Sequence, residues 1–394
     1  MTVTVEATGG ATGGAASTGA SLRSSKLAAW QRDVRILRVS RTDQQHAIHA
    51  YYTATPESPD GRYAVFYAST TRDAHCGQLM LVERKTGEER VLVSGLSTED
   101  SHRAACQQWA SNGGRVAFHD VRGPAEEWMV CSVDVASGNQ RVLARDRQLG
   151  WGQPDADVVP VYGPHWDPAA HRDLDLLNVM TGERRTVLGA DAVRDAYPAL
   201  LAEEFGHRQI SIFFPALSPD LGKVFFKIAS PLGGHFRSKD ASKRALLVCY
   251  SLEEKRFLFA DKKWGHPAWS PDSRRILDVP NVLIDAETGE RRVLSGLPRF
   301  PGSHPSFSPD GSMYVTDVAL DRMEGSAAAK GEWGIALVDA ETQEWVLIDR
   351  FDESQGTTSW RRCHPHPVFS ADGERIYYTA SDTEWSRLRV AECG

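Results

Sequence analysis

The sequence predicts an all-β chain folded as a seven-bladed β-propeller, with an N-terminal strand completing the last blade and closing the ring. Three observations carry this. A Ser-Pro-Asp-Gly turn or a close variant recurs along the 394 residues. A second turn recurs out of phase with it. The spacing of the first turn leaves room for seven units.

The first turn stands at Ser58-Pro59-Asp60-Gly61, Ser111-Asn112-Gly113-Gly114, Ser218-Pro219-Asp220, Ser270-Pro271-Asp272, Ser308-Pro309-Asp310-Gly311 and Ser370-Ala371-Asp372-Gly373. Each feeds an alternating apolar stretch, such as Arg62-Tyr63-Ala64-Val65-Phe66-Tyr67, which reads as a tight turn entering a half-buried strand. The second turn is Thr86-Gly87-Glu88, Ser137-Gly138-Asn139, Thr181-Gly182-Glu183 and Thr288-Gly289-Glu290, each ahead of a further strand. Two hairpin turns per repeat make four antiparallel strands, which is one blade.

Ser58 and Ser111 are 53 positions apart, while Ser111 and Ser218 are 107 apart, or two repeats. A degenerate blade is therefore expected around Val159–Leu188, and six visible turns become seven blades. The last repeat stops after Leu388-Arg389-Val390, one strand short. Val34-Arg35-Ile36-Leu37-Arg38-Val39 has the pattern of the missing strand, and pairing the two removes an exposed sheet edge. Asp191 to Phe205 has helical composition and is expected as a short insertion between blades. Residues 26–394 are thus expected as one domain behind a Gly-, Ala-, Ser- and Thr-rich tail, residues 1–25, which should be disordered.

Composition narrows the function. The formal net charge of -7 argues against a general nucleic-acid binder, because phosphate recognition needs a surplus of Lys and Arg. The 6 cysteines are scattered without a CxxC pair, which excludes a zinc ribbon and suits a reducing compartment. No apolar run approaches the roughly 18 residues of a membrane helix, and the tail lacks the apolar core of a secretory signal. A cytoplasmic protein without a membrane partner is the expectation.

Aligning the repeats on the turn serine exposes a row of histidines four residues upstream. The strings are His266-Pro267-Ala268-Trp269-Ser270, His304-Pro305-Ser306-Phe307-Ser308 and His366-Pro367-Val368-Phe369-Ser370. The same position holds Phe214 in the preceding blade, Ala54 in the first and Gln107 in the second. It lies at the start of the innermost strand, where blades converge on the central channel. His364 stands two residues before His366, so both rings can face one point in an extended chain, with Pro365 stiffening the pair. A lone histidine here would be an ordinary hydrogen-bonded residue. With only 13 in the chain, three at one repeat position plus His364 point to a metal or catalytic cluster. Imidazole sites with open positions suit Mn, Fe, Ni or Zn. Arg361 and Arg362 precede the pair, and Lys243 and Arg244 lie on the blade before His266, beyond the Gly-rich stretch that ends at His235. These cations could receive an anionic ligand.

From about Phe214 onward these strings resemble the oligogalacturonate lyases, propeller-fold enzymes of the pectate lyase class. His364-Pro365-His366-Pro367 is the most specific motif. The resemblance implies a manganese-type divalent metal on His304, His364 and His366, with His266 as the general base. It also implies Arg244 as a catalytic arginine, and a uronic-acid oligosaccharide as substrate. Arg361, Arg362, Lys243 and His235 are then expected to bind that substrate. One departure stands out. Arg361 occupies a position where the family has a glutamine ligand, and a guanidinium has no acceptor with which to bind a cation.

The implied reaction is β-elimination across C4–C5 of the sugar. A non-catalytic, TolB-like binding or scaffolding propeller is the alternative, because the turn repeats report fold and not chemistry. A hydrolase ranks lower, since the blades use up the chain and no Gly-x-Ser-x-Gly elbow is present.

Overall fold

The computed structural model describes residues 24–32, 34–263 and 265–393. Seven four-stranded antiparallel sheets stand in a ring. Blade one runs from His46–Ile48 through Tyr63–Ser69 and Cys76–Glu83 to Glu88–Ser97. Blade seven takes Val368–Phe369, Arg375–Ala380 and Arg387–Cys393 from the C-terminus, and its outer strand is Val34–Arg38. Val34 pairs with Cys393 and Arg38 with Arg389, so the two ends of the chain close one sheet. A second tie fastens this joint. Arg375 of blade seven donates to both carboxylate oxygens of the buried Glu57 of blade one, at 2.9 and 2.8 Å.

The turn chemistry explains the repeat. In blade six, Ser308 Oγ donates to Asp310 at 2.7 Å and accepts the Met313 N–H at 3.0 Å. Gly311, at φ +69°, completes that turn in a conformation only glycine adopts cheaply. Blade three is the degenerate one, built from Gln148–Leu149, Val158–Tyr162, Leu174–Asn178 and Arg184–Leu188. Its turn is Gln153-Pro154-Asp155-Ala156, closed by the Ala156 N–H on the Gln153 carbonyl at 3.1 Å. Proline and aspartate persist there while serine does not, which is why the repeat fades.

Among the described residues, three α-helices lie outside the blades. Helix α1, Ser25–Arg32, buries Leu27 and Trp30 against blade six, a docked element that the tail composition did not suggest. Helices α2, Ala190–Ala196, and α3, Pro198–Phe205, connect blades three and four. Residues 1–23 lie outside the described residues. No helix among the described residues is long and apolar enough to cross a membrane.

Each inner strand runs from the histidine side of the channel towards the repeat turn, and residues of these turns line the opposite end. Tyr51 and Tyr52 are buried against the histidines, the Tyr51 ring 4.5 Å from His366 and the Tyr52 ring 5.4 Å from His304. They are thrust inward by a tight turn in blade one, where the Ala54 N–H bonds the Tyr51 carbonyl at 3.0 Å. A cavity of about 440 Å³ opens at the turn end, walled by Trp109, Trp151, Trp269, Phe307 and Phe369. The histidines lie on the other side of the two tyrosines.

Candidate metal centre at the channel mouth

The three repeat-position histidines come together, with a fourth beside them and a fifth that the repeat does not contain. His266 enters blade five just before Ala268–Trp269, His304 enters blade six before Ser306–Phe307, and His364 and His366 enter blade seven before Val368–Phe369. Ring centroids of His266 and His304 are 4.2 Å apart, and those of His304 and His366 are 4.4 Å apart. His102, from the connection between blades one and two, crosses the mouth to lie 4.5 Å from His366 and 4.9 Å from His364.

His102, His304 and His366 present ligand nitrogens within 4.8 Å of one another, and their exposures are 3%, 1% and 1%. Their Nε2 atoms are buried without a hydrogen-bond partner among the described residues. The other ring nitrogen explains the aim in two of them. His304 Nδ1 lies 2.9 Å from Asp317 Oδ2, and His102 Nδ1 lies 3.1 Å from the Arg362 carbonyl. A proton shared with those acceptors leaves the Nε2 lone pair pointing inward. Unpaired buried acceptors cost free energy, about 1–3 kcal/mol each, so three aimed at one point fit a cation. His366 adopts φ +48°, a left-handed backbone that a non-glycine residue holds only at a cost. His364 flanks the trio, half-buried, with its Nδ1 unpartnered.

Burial holds His102, His364 and His366 well below the ordinary imidazole range, and neighbouring cations and imidazoles add to the shift. Neutral imidazole is the ligating form. His266 is likewise held down by burial and by His304 and Lys227. Its Nδ1 lies 3.1 Å from the Ser303 carbonyl, which leaves Nε2 as the basic nitrogen. Lys227 donates to the Gly265 carbonyl at 2.5 Å and anchors the approach to His266. Gly265 is required there, because a Cβ would sit 1.9 Å from Asp278 Oδ1.

The cations divide. Arg244, on the third strand of blade four, makes no carboxylate ion pair within 4 Å among the described residues. Burial, then Arg361, pushes it down to about 10. Arg361 lies 3.8 Å from Asp100 and its Nη1 has no hydrogen bond among the described residues. Lys243 instead pairs with Glu204 of α3 at 3.2 Å, and Arg362 is tied to the Glu353 and Gln355 carbonyls. His235 is exposed, stacked on Phe236 and paired with Glu126 at 3.2 Å. These three have partners within the protein.

Two members of the site escaped the sequence reading. His102 lies off the repeat position, in a connecting loop. Asp100 Oδ1 accepts its backbone N–H at 2.9 Å, and Ser101 Oγ donates to the Arg361 carbonyl at 3.2 Å, docking that loop on blade seven's entry. No local pattern announces such a contact. Asp317 lies on the second strand of blade six, Met313–Ala319, where hairpin register sets it opposite His304. Ser306 pairs with Val315, so two steps outward His304 faces Asp317.

No family model matches the chain. An uncharacterized peptidase, YuxL, of Bacillus subtilis (strain 168) is 27% identical over a stretch covering 32% of this chain and 23% of that protein. The chain thus spans under a quarter of that relative's length. Among solved structures, an oligogalacturonate lyase in complex with manganese matches with a TM-score of 0.62 at 15% identity, over 91% of this chain and 93% of that one. An oligogalacturonate lyase from Vibrio parahaemolyticus matches with a TM-score of 0.61 at 15% identity, again over 91% and 93%. At such identity the likeness is one of fold, and chemistry has to be argued from the site.

Proposed function

We propose that this chain is a metal-dependent lyase that cleaves uronic-acid oligosaccharides by β-elimination, leaving a 4,5-unsaturated sugar. The observation that carries the reading is the set of three buried Nε2 atoms of His102, His304 and His366, unpartnered among the described residues, beside Arg244, which makes no carboxylate ion pair within 4 Å there, and Arg361, which reaches Asp100 only at 3.8 Å. A purely structural scaffold gains nothing from leaving those groups unpaired. The resemblance of the His364-Pro365-His366 strings to the oligogalacturonate lyases supports the same chemistry.

The hard step is removal of the C5 proton, because negative charge builds onto the adjoining carboxylate. Arg244 and Arg361 supply fixed positive charge, with a planar donor fork that matches a carboxylate. A divalent metal held by His102, His304 and His366, with His364 beside it, would add Lewis-acid stabilisation of that charge. His266 takes the proton. It is neutral, its Nδ1 is committed to the Ser303 carbonyl, and its Nε2 carries the lone pair. The C5–H electrons form the C4=C5 bond, the C4–O bond breaks, and the glycosidic oxygen leaves with its pair. No water is consumed.

The test is a panel of galacturonic, glucuronic and alginate oligosaccharides, followed by the ultraviolet absorbance of the new C=C–COO⁻ group. Runs with chelator, and with manganese or other divalent ions added back, show whether turnover needs metal. Metal-loaded protein that forms no absorbing product from any of them sinks the lyase reading and leaves a binding propeller.

A further inference from the structure

The convergent donors are all imidazole. Among the described residues, the ligand-type side chains that meet at this point are His102, His304 and His366. The nearby carboxylates do not converge with them, and Asp100 Oδ2 faces Arg361 at 3.8 Å instead. Asp317 Oδ1 accepts the His304 backbone N–H at 2.7 Å, and its Oδ2 faces His304 Nδ1 at 2.9 Å. Asp100 Oδ1 accepts the N–H groups of His102 and Arg103 at 2.9 and 3.1 Å. The third nitrogen is brought in deliberately by the fold. The Asp100 turn shapes the loop, Ser101 Oγ lies 2.7 Å from Thr357 Oγ1, and the Arg362 carbonyl faces His102 Nδ1. His102 is therefore positioned from the blade-seven side, although it belongs to the connection between blades one and two.

Donor type ranks the ions that an imidazole site admits. Carboxylate, carbonyl and water oxygens favour manganese and magnesium, so an all-nitrogen set shifts the ranking towards zinc and the later first-row ions. We infer that His102 is a metal ligand and sets the preference of the site, completing a three-imidazole donor set for a nitrogen-preferring divalent ion such as zinc rather than manganese. This rests on the metal reading of the cluster and not on the lyase reaction, so a failed uronide assay leaves it standing.

The experiment titrates metal-free, full-length protein with Zn²⁺ and separately with Mn²⁺ against a chromophoric chelator. Wild type and His102→Gln are compared, since the amide offers an oxygen where the ring offered nitrogen. One zinc per chain is expected in the wild type. In the variant, zinc affinity should fall about 100-fold and manganese affinity by less than about threefold, narrowing the zinc-over-manganese ratio at least tenfold. An unchanged ratio, whether both affinities hold or both fall equally, overturns the inference. If the variant does not fold, the ring-nitrogen resonances of wild-type histidines decide. Zinc must move those of His102 together with those of His304 and His366. A His102 ring unmoved at zinc saturation overturns the inference equally.

Discussion

Asp317 holds His304 twice, through the backbone N–H at 2.7 Å and through Nδ1 at 2.9 Å, and its second oxygen also reaches the His366 N–H at 3.3 Å. One carboxylate thus orients the histidines of two adjacent blades. Removing its charge should loosen the centre without removing a ligand. Asp317→Asn is expected to lose about 10- to 100-fold in metal affinity. The check is the metal content of wild type and variant after dialysis against graded chelator.

His266 and His366 occupy the same repeat position yet have different neighbours, and their variants should separate. His266→Ala is expected to retain metal and lose turnover, in keeping with a base whose Nε2 is the free nitrogen. His366→Ala should lose both. Bound metal and ultraviolet product measured on the same preparations test this. Complete metal loss on changing His266 alone would contradict the division.

Arg244 and Lys243 are sequence neighbours with opposite placements. Lys243 is paired with Glu204, while Arg244 makes no carboxylate ion pair within 4 Å among the described residues. Arg244→Ala is expected to lower kcat/KM for a uronide at least tenfold, and Arg244→Lys should not restore it, because the planar fork is lost. Lys243→Ala should stay within about twofold of wild type. Steady-state kinetics on the three variants check both halves.

Glu353 gives a pH signature in stability. Burial raises its carboxyl to about 8, against an opposing hydrogen bond from the Ser381 N–H at 2.9 Å. Below the ordinary value of 4.5, both folded and unfolded chains hold the proton. Between there and about 8 only the folded chain holds it, so this contribution to stability falls as pH rises through that window. The loss is on the order of 3 kcal/mol. Glu353→Gln should flatten the slope, as urea unfolding at pH 5 and pH 8 would show.

The blades and their closure were legible because each rests on local chemistry repeated many times. The serine–aspartate turn, the glycine turn and the alternating strands need only a few consecutive residues to declare themselves. The blade-three turn kept Pro154 and Asp155 without the serine, so it was placed by spacing alone. Helix α1 was not foreseen, because its packing onto blade six depends on just two apolar residues, Leu27 and Trp30, beside a low-complexity tail.

At the site, the repeat itself selected His266, His304 and His366, since equivalent positions in neighbouring blades must converge on the axis. His364 followed from the two-residue period of extended chain. Which nitrogens meet was not decidable that way. His102 arrives through a loop docked on Arg361 and Arg362 more than 250 residues away, and no sequence pattern encodes that encounter. The tertiary structure also decided which cations are uncommitted, because pairing depends on helix α3 lying beside Lys243. The sequence by itself determined the ring and the row of histidines on its mouth, through periodic local interactions. Only the closed ring determined the donor set, because its members are joined by contacts across the channel.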